Sequence, residues 1–448
     1  PGMGIGHRRN IFLLLSPIGR SFSSQRGKTR IAVVGSGPSG LFAVSSLLRR
    51  LPSASIDVIE AAPVPFGLVR YGVAPDHQDV KNCIHSFEKM FSTHEDRLSL
   101  YCNLRVGQGP KEISLDDLRT RYSAILLAYG ASRARRLNIP GADSINVLTG
   151  SQVVSWYSGY PSSSPPLLDH PSAIVIGNGN VSLDCARVLA SPGRLEHTDI
   201  PDDALELIRN SRVRNISIVG RRGPADVSFT IKELREQFRL DGWSSGVEMD
   251  KEDEEKLRGG LVKMERPKKR LMQVLLDNIR EREGGKRCSL LFRRVPKEIK
   301  ADRNGRVKSV LFERPDGSIE EIEAGLVIAS LGYEAVLLDG LPKNEKGELL
   351  WKNESEVALA GEGGRVFATG WCTGKARGVI ADSQVSATRV AMVMGEEVKE
   401  GGNDEGVEEI VRSKGIKTRG WRDWIELDGK EKQEGEKKGK IREKITLF

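Results

Sequence analysis

Two glycine-rich turns, each preceded by an apolar run, contain the residues best suited to bind a dinucleotide. The first is Gly35-Ser-Gly37-Pro-Ser-Gly40, after residues 31–34, and the second is Gly177-Asn-Gly179-Asn-Val-Ser182, after residues 173–176. In such a turn the first glycine permits the tight bend and the second admits the pyrophosphate, while the third position must be small so that the helix packs on the strand. Ser182 meets that size requirement. Both segments therefore predict phosphate-binding turns between a strand and a helix.

The strands that follow the two turns differ in the charge of the side chains at their ends. Residues 56–60 end in Glu60, whereas residues 216–220 are followed by Arg221 and Arg222. A carboxylate at this place accepts hydrogen bonds from the adenosine ribose, whereas guanidinium groups suit a 2′-phosphate. The first site is therefore predicted to bind FAD or NAD and the second NADP. Together the two sites predict a flavoenzyme that takes its electrons from NADPH.

The elements around these turns predict an α/β fold with two Rossmann-like nucleotide-binding domains. We expect helices over residues 41–50 and 181–189, and strands over 104–106, 124–130 and 326–333. Both units close on an apolar strand followed by glycine, so the NADP domain is predicted to be inserted into the FAD domain. The expected boundaries are 29–136 for the first part of the FAD domain, 137–335 for the NADP domain, and 336–448 for the second part of the FAD domain with a C-terminal tail. The chain would return at residues 365–371, a helix would span 379–394, and the tail from Lys430 onwards is expected to be loosely ordered.

Composition narrows the class of protein and of partner. The chain has 448 residues, of which 38% are hydrophobic and 29% charged, with a formal net charge of +8. No apolar run approaches a membrane span, which argues against an integral membrane protein. The positive balance favours an acidic partner, and we expect a protein, because the basic residues alternate with acidic ones and no nucleic-acid-binding module is evident. The five cysteines show no C-x-x-C spacing, which argues against a metal site and a local dithiol centre.

The first acidic residue of the chain is Asp57, so the N-terminal leader contains no acid. Its arginines and serines surround a short apolar segment at residues 11–15, a composition typical of an organelle transit peptide. We expect residues 1–28 to be a mitochondrial transit peptide, with a plastid as the alternative. A secretory signal is a weaker reading, because further basic residues follow the apolar segment.

Several longer strings then resemble one family. Residues 63–77, Pro-Val-Pro-Phe-Gly-Leu-Val-Arg-Tyr-Gly-Val-Ala-Pro-Asp-His, are similar to the mitochondrial adrenodoxin reductase family, as are residues 177–184, 220–224, 229–236 and 266–272. The resemblance extends over about residues 29 to 448. It implies a flavoprotein that oxidises NADPH and passes electrons singly to a small acidic [2Fe–2S] ferredoxin. It implies no transmembrane segment, and it is compatible with a peripheral position on the matrix side of the inner mitochondrial membrane.

The resemblance also implies a role for individual residues. Those expected to contact FAD are Gly35, Gly37, Pro38, Ser39, Gly40, Glu60, Leu68, Val106, Trp371, Gly378, Val379 and Ile380, and those expected to contact NADP are Asn178, Gly179, Asn180, Val181, Arg221, Arg222 and Glu233. His77 and Glu236 are the catalytic acid/base candidates, since a flavin reduced by hydride also requires a balance of protons. A structural histidine and a solvated helix carboxylate are the alternative interpretations. No metal is expected.

The basic run Arg266, Lys268, Lys269 and Arg270 is the predicted docking patch for the ferredoxin. A solvated helix face is the alternative. One departure from the family concerns residues 372–377, Cys-Thr-Gly-Lys-Ala-Arg, where a basic pair followed by Gly-Pro-Thr is usual. This loop motivates a second hypothesis, that the chain is a catalytically impaired FAD- and NADP-binding protein with a sensor or scaffold role.

Overall fold

The structure, a computed structural model, describes residues 29–279, 285–374, 378–398 and 406–446. The predicted transit peptide, residues 1–28, lies outside the described residues. Within the described ranges no helix combines the length and the apolar character needed to cross a membrane.

The strands form two parallel sheets and two smaller antiparallel ones. In chain order they are β1 (Arg30–Val34), β2 (Ser55–Ile59), β3 (Leu98–Tyr101), β4 (Ala124–Leu127), β5 (Arg133–Ala134), β6 (Val147–Thr149), β7 (Ser172–Ile176), β8 (Asn215–Val219), β9 (Trp243–Glu248), β10 (Lys286–Leu291), β11 (Val295–Ala301), β12 (Val307–Glu313), β13 (Ile319–Glu323), β14 (Leu326–Ala329), β15 (Tyr333–Glu334) and β16 (Arg365–Ala368).

The helices connect and cover these strands. They are α1 (Pro38–Arg50), α2 (Leu68–Tyr71), α3 (Cys83–Thr93), α4 (Leu115–Arg121), α5 (Gly150–Tyr157), α6 (Asn180–Ala190), α7 (Asp202–Arg209), α8 (Ile231–Gln237), α9 (Lys251–Gly260), α10 (Arg266–Leu276), α11 (Ile380–Glu397), α12 (Glu408–Ser413) and α13 (Trp421–Lys437), with short 3-10 turns at Gln78–Asn82, Pro192–Arg194, Pro224–Asp226, Leu261–Lys263 and Gly370–Thr373.

The first parallel sheet has the order β16-β4-β1-β2-β3, and all of its neighbouring strands are parallel. Strands β2 and β4 are buried along their whole length because helices cover both faces of the sheet. Strand β16 comes from the C-terminal part of the chain and pairs with β4, so this sheet combines residues from both ends of the chain. Helices α1 and α11 pack against each other on it.

The second parallel sheet has the order β6-β14-β7-β8-β10-β9 and is built from residues 147–329. An antiparallel sheet of β11, β12 and β13 adjoins it, and the short antiparallel pair β5–β15 lies where the chain passes from one parallel sheet to the other and returns. In each parallel sheet one strand leads through a glycine turn into a helix: β1 leads into α1, and β7 leads into α6. The predicted α/β fold with two Rossmann-like units is confirmed.

Two expectations about local structure are wrong. Residues 104–106 do not form a strand, because β3 ends at Tyr101 and Asn103 adopts a left-handed backbone with φ of 59°, which turns the chain away from the sheet. The tail beyond Lys430 is ordered through residue 446. Helix α13 continues to Lys437, and the side chains of Glu431 and Lys444 are buried, at 0% and 4% exposure.

Candidate functional site

The first glycine turn is shaped by close backbone packing on two sides and by open space on the third. A Cβ atom on Gly35, whose φ is +107°, would lie 2.5 Å from the Ala128 carbonyl oxygen, and one on Gly40 would lie 2.1 Å from the Gly35 oxygen. A Cβ on Gly37 would meet no atom within 4 Å. Pro38 begins α1. The turn therefore leaves space above Gly37, beside the N–H groups at the start of α1, as a pyrophosphate requires.

Glu60 follows β2 and is fixed by hydrogen bonds beside the first turn. Its Oε2 accepts from the N–H of Ser36 at 2.9 Å and from the Ser36 hydroxyl at 2.7 Å, and its Oε1 accepts from the N–H of Ala62 at 2.8 Å. Carboxylate oxygens have further lone pairs, so both remain acceptors for a ribose hydroxyl. The structure thus places the predicted ribose-binding acid next to the predicted phosphate turn.

Two distant segments meet at the same turn. A Cβ on Gly67 would lie 3.1 Å from the Cα of Gly37, which brings the start of α2 and Leu68 beside it. Ser39 packs against Gly370, where an added Cβ would lie 2.3 Å from the Ser39 hydroxyl, and Trp371 follows directly. The Trp371 ring lies 5.6 Å from the ring of Tyr333, between centroids. Leu68 is 42% exposed, so its side chain is accessible to a bound cofactor.

The remaining predicted FAD contacts lie at the start of α11 and after β3. Gly378 and Val379 precede the helix, and the N–H of Val379 donates to the Asp382 carboxylate at 2.8 Å. Val379 is 51% exposed, whereas Val106 is buried. Residues 375–377 of the loop that departs from the family lie outside the described residues. Cys372, at its start, is buried and its thiol donates to the Thr369 and Leu127 carbonyls.

The second glycine turn repeats the geometry of the first. Gly177 has a φ of +136°, and a Cβ there would lie 2.2 Å from the Ser330 carbonyl oxygen. A Cβ on Gly179 would meet only the Ser228 hydroxyl, at 3.7 Å. The carbonyl of Asn178 accepts from Ser228 N–H at 2.9 Å, and Oδ1 of Asn180 accepts from Thr230 N–H at 2.8 Å. These bonds attach the start of α8 to the turn.

Arg221 and Arg222 follow β8, and both side chains are exposed. Neither guanidinium has a hydrogen bond or an ion pair with any part of the chain that the structure describes. Arginine side chains normally find a partner when a carboxylate lies nearby, so two adjacent unpaired guanidinium groups at a strand end suit a dianionic ligand.

His77, Glu233 and Glu236 form one cluster although they come from distant parts of the sequence. Nε2 of His77 lies 2.6 Å from Oε2 of Glu236, and Nδ1 lies 3.6 Å from Oε1 of Glu233. The two glutamates lie one turn apart on α8, so both reach the same imidazole. His77 is 7% exposed, while the Glu236 side chain is 28% exposed and connects the imidazole with solvent.

The centre of this cluster is Arg187, which the sequence analysis did not single out. Its guanidinium is 1% exposed and donates to Asp76 at 2.6 Å, to Asp184 at 2.6 Å and to Glu233 at 2.9 Å. Its Nη2 also lies 3.2 Å from Nε2 of His77. The signal in the sequence was weak: Asp184 and Arg187 are charged residues one turn apart in a segment that otherwise reads as a buried helix.

Burial and the neighbouring charges shift the pKa values of the carboxylates in this cluster. Burial, followed by the charge of Asp184, raises the pKa of Glu233 to about 7, and Arg187 and His77 oppose the increase. Burial also raises the pKa of Asp184, again against Arg187. For Asp76, burial is outweighed by the hydrogen bond and the charge of Arg187, so its pKa is lowered. The cluster can therefore take up and release a proton near neutral pH.

The same cluster brings three possible metal ligands together, but Arg187 fills the role of the cation. Ligand atoms of His77, Asp184 and Glu233 lie within 4.8 Å of one another. The guanidinium already bonds to both carboxylates and approaches the imidazole, so a metal ion would have to displace a buried positive charge.

The predicted docking patch lies at the start of α10. Helix α10 packs against α8, which presents Glu233 and Glu236, and against the 3-10 turn Pro224–Asp226 beyond Arg221 and Arg222. The patch side chains are all exposed: Arg266, Lys268, Lys269 and Arg270.

Comparison with known protein sequences gives a consistent picture over nearly the whole chain. The family model described as pyridine nucleotide-disulphide oxidoreductase matches residues 29–223. The human mitochondrial NADPH:adrenodoxin oxidoreductase is 34% identical over 461 residues, which cover 95% of this chain and 91% of that protein. The Arabidopsis thaliana mitochondrial NADPH:adrenodoxin oxidoreductase is 30% identical over 477 residues and covers 96% of each chain.

Comparison with solved structures agrees. The structure of Mycobacterium tuberculosis FprA in complex with NADPH superposes with a TM-score of 0.84 at 31% identity. The match covers 94% of this chain and 98% of that one. The similarity therefore includes both parallel sheets and the residues between them.

Proposed function

The chain belongs to the family of mitochondrial NADPH:adrenodoxin oxidoreductases, and on that premise we propose that it passes electrons from NADPH through FAD to a small acidic [2Fe–2S] ferredoxin. It is a flavoprotein oxidoreductase that binds FAD and NADP. The observation that most supports the proposal is the contrast between the two glycine turns. Glu60 is hydrogen-bonded beside the first, whereas Arg221 and Arg222 project beside the second without protein partners in the described residues.

Bound FAD would supply the chemistry of the reaction, which is acceptance of a hydride and release of its electrons one at a time. The protein residues hold the cofactors and manage protons. Gly35, Gly37 and Gly40 would admit the FAD pyrophosphate, with Pro38 and Ser39 at the start of α1, and Glu60 would bind the adenosine ribose. Leu68 and Val106 would line the cofactor with apolar surface.

The proposed FAD site also includes the segment around Trp371. Ser39 packs directly on Gly370, which holds Trp371 near the first glycine turn, and Trp371 would contact the flavin. Gly378 and Val379 lie just before α11, which begins at Ile380, and the N–H groups at the start of this helix would stabilise negative charge on the flavin.

NADP would occupy the second turn. The backbone of residues 178–181 would hold its pyrophosphate, and Arg221 and Arg222 would bind its 2′-phosphate. Glu233 would contact the ribose or the nicotinamide side. In the structure Glu233 also bonds to Arg187, so any such contact would be coupled to the His77 cluster.

His77 and Glu236 are the proposed acid/base pair. Nε2 of His77 is buried and 2.6 Å from a Glu236 carboxylate that is partly exposed. A proton can therefore move from solvent to the Glu236 carboxylate and from there to Nε2 of the imidazole without a large movement of the protein. Glu233, with a pKa of about 7, provides a second proton acceptor beside the ring.

The proposed docking surface is the patch of Arg266, Lys268, Lys269 and Arg270. These cations occupy the first turns of α10, which has no acidic residue in its first turn. Positive charge in the first turn of a helix opposes the helix dipole, so Arg266 and Lys268 are unfavourably placed there, with Glu265 at the N-cap. No ion pair in the described residues offsets this cost. A patch kept at the expense of stability suggests a functional partner with acidic side chains.

We expect charge reversal of this patch to slow electron transfer to the ferredoxin strongly and to spare electron transfer to small molecules. Arg266→Glu with Arg270→Glu should slow ferredoxin-dependent cytochrome c reduction by about tenfold or more, because attraction becomes repulsion. Reduction of ferricyanide by NADPH requires no docking and should change less than about twofold. Steady-state assays with each acceptor measure the two rates.

Two controls sharpen this experiment. Lys343→Glu with Lys346→Glu reverses the same charge on an exposed loop away from α10 and should leave both reactions intact. Raising the salt concentration should slow the wild-type ferredoxin reaction, since the Debye length falls to ~8 Å at physiological ionic strength and shortens further with added salt. If the double reversal leaves ferredoxin-dependent reduction unchanged, the acidic partner binds elsewhere.

We further propose a division of the chain that follows its two sheets. Residues 29–136 and 336–448 would form the FAD domain and residues 137–335 the inserted NADP domain, joined at the β5–β15 pair. The chain is assigned to the mitochondrion, and a matrix location, peripheral to the inner membrane, is the proposed refinement.

A further inference from the structure

Arg293, two residues after the end of β10, has a strained backbone at the edge of the sheet where the strand before Arg221 also ends. Its φ is 52°, in the left-handed region, where a residue other than glycine is uncommon. Strands β8 and β10 are parallel neighbours, with Val219 opposite Leu291. The two loops that follow these strands therefore lie side by side at the same edge of the sheet.

These two loops are joined by backbone hydrogen bonds. The N–H of Arg293 donates to the carbonyl of Arg222 at 3.1 Å, and the N–H of Arg294 donates to the carbonyl of Gly220 at 3.1 Å. The side chain of Arg293 also extends towards the loop after β8. A Cβ placed on Gly223 would lie 3.0 Å from its Nη2. The left-handed conformation thus brings a third guanidinium to the turn that contains Arg221 and Arg222.

A buried carboxylate holds this guanidinium by one edge only. Nε of Arg293 donates to both oxygens of Asp253, at 2.7 Å and 2.6 Å, and the Asp253 side chain is 7% exposed. The Arg293 side chain is 42% exposed. Its terminal amino groups bond to no other side chain in the described residues. Since arginine has five N–H donors, most of them stay available to a ligand.

The carboxylates nearby do not remove this capacity. The hydrogen bond and the charge of Asp253, together with the charges of Glu252 and Asp226, raise the pKa of Arg293. Glu252 forms its own ion pair with Lys256, and Asp226 lies on the 3-10 turn after Gly223. The guanidinium therefore stays charged, and Asp253 fixes its orientation.

We propose that Arg293 is a third arginine of the site for the 2′-phosphate, with Asp253 as the residue that positions it. This inference deepens the proposed function and rests on the binding of NADP by Arg221 and Arg222. It assigns a task to Asp253, the buried carboxylate in the first turn of α9. It also explains why the loop after β10 adopts a strained backbone, which persists where the surrounding structure and function require it.

Binding of two small probes tests the proposal without enzyme turnover. The ligands 2′,5′-ADP and 5′-AMP differ only in the 2′-phosphate, and calorimetric titration of the holoenzyme gives the dissociation constant of each. Arg293→Ala should weaken binding of 2′,5′-ADP about tenfold, as expected for loss of a charge-assisted contact, and should change binding of 5′-AMP less than about twofold. Arg293→Lys should lie between wild type and alanine.

Asp253→Asn tests the positioning role. It keeps a hydrogen-bond acceptor but removes the charge, so we expect a smaller loss, of about threefold, again confined to 2′,5′-ADP. Arg303→Ala, at an exposed arginine on the β11–β12 connection, is the matched control and should change neither constant.

The outcomes separate this inference from the coenzyme assignment itself. Equal weakening of both ligands in Arg293→Ala, or no weakening of either, would overturn the proposal and make Arg293 a structural link to α9. The variant with alanine at both Arg221 and Arg222 is titrated in parallel. If that variant keeps its preference for 2′,5′-ADP, the NADP site itself is misassigned. If it loses the preference while Arg293→Ala keeps it, only the third arginine fails.

Discussion

Replacement of Arg187 by methionine is expected to lower the free energy of unfolding by about 3–5 kcal/mol or more, as when one partner of a buried ion pair is removed. Methionine matches the unbranched aliphatic part of arginine but lacks the charged guanidinium. The carboxylates of Asp76, Asp184 and Glu233 would then face one another with their shared cation gone. Denaturant unfolding of the holoenzyme at neutral pH measures the loss.

The pH dependence of that loss follows from the pKa of Glu233. In the folded protein this pKa is about 7, above its ordinary value of 4.5, and it should rise further without Arg187. A raised pKa in an acid favours folding at low pH, and that benefit is lost as pH increases through the folded value. The deficit of the variant should therefore grow between pH 6 and pH 8 on the order of a kcal/mol or more.

Arg209→Met provides the matched control for this prediction. Arg209 also forms an ion pair, with Glu196 at 2.7 Å, but its side chain is 48% exposed. An exposed pair contributes only ~0–1 kcal/mol, so this variant should unfold nearly like the wild type. Similar losses for both variants would show that the buried cluster does not depend on Arg187.

The second large effect is expected at the coenzyme site. Arg221→Ala with Arg222→Ala should raise the KM for NADPH at least about tenfold and leave the KM for NADH nearly unchanged. Each charge-assisted hydrogen bond contributes ~1.5–3 kcal/mol, and tenfold corresponds to ~1.4 kcal/mol, so even one effective contact suffices. Steady-state ferricyanide reduction with each coenzyme gives both constants.

A matched double variant distinguishes this effect from a loss of stability. Arg49 and Arg50 are adjacent exposed arginines at the end of α1, and their replacement by alanine should change neither KM. An equal rise in KM for NADPH and NADH in the Arg221 and Arg222 variant would refute the assignment of the 2′-phosphate.

The nucleotide-binding part of the fold was predictable because its signals are local. An apolar run, a glycine turn and a helix lie within twenty consecutive residues, and the turn geometry depends on the absence of Cβ atoms at Gly35 and Gly40. The resemblance to adrenodoxin reductases was also detectable from short strings of consecutive residues, and the comparisons with known proteins confirm it. The α/β architecture follows from the same repeated unit.

The parts that the sequence did not reveal depend on contacts between distant residues. Arg187 and Asp76 are 111 positions apart, and no local pattern indicates that they meet. The ordered tail has the same origin. Lys444 reaches Asp199 at 2.9 Å, and Glu431 pairs with Arg70 at 2.6 Å, so buried ion pairs order a segment whose composition suggested a loose end. Composition predicts exposure, and it cannot predict such partners.

The most direct test of the account is the absorption spectrum of the purified protein before and after anaerobic addition of NADPH. We expect the bands of oxidised flavin in the starting spectrum, their loss on addition of NADPH, and their return when an oxidised [2Fe–2S] ferredoxin is added. NADH at the same concentration should act far more slowly. A protein without flavin bands would contradict the account at its base. Flavin bands that persist after NADPH would contradict the proposed electron transfer and support an impaired nucleotide-binding protein instead.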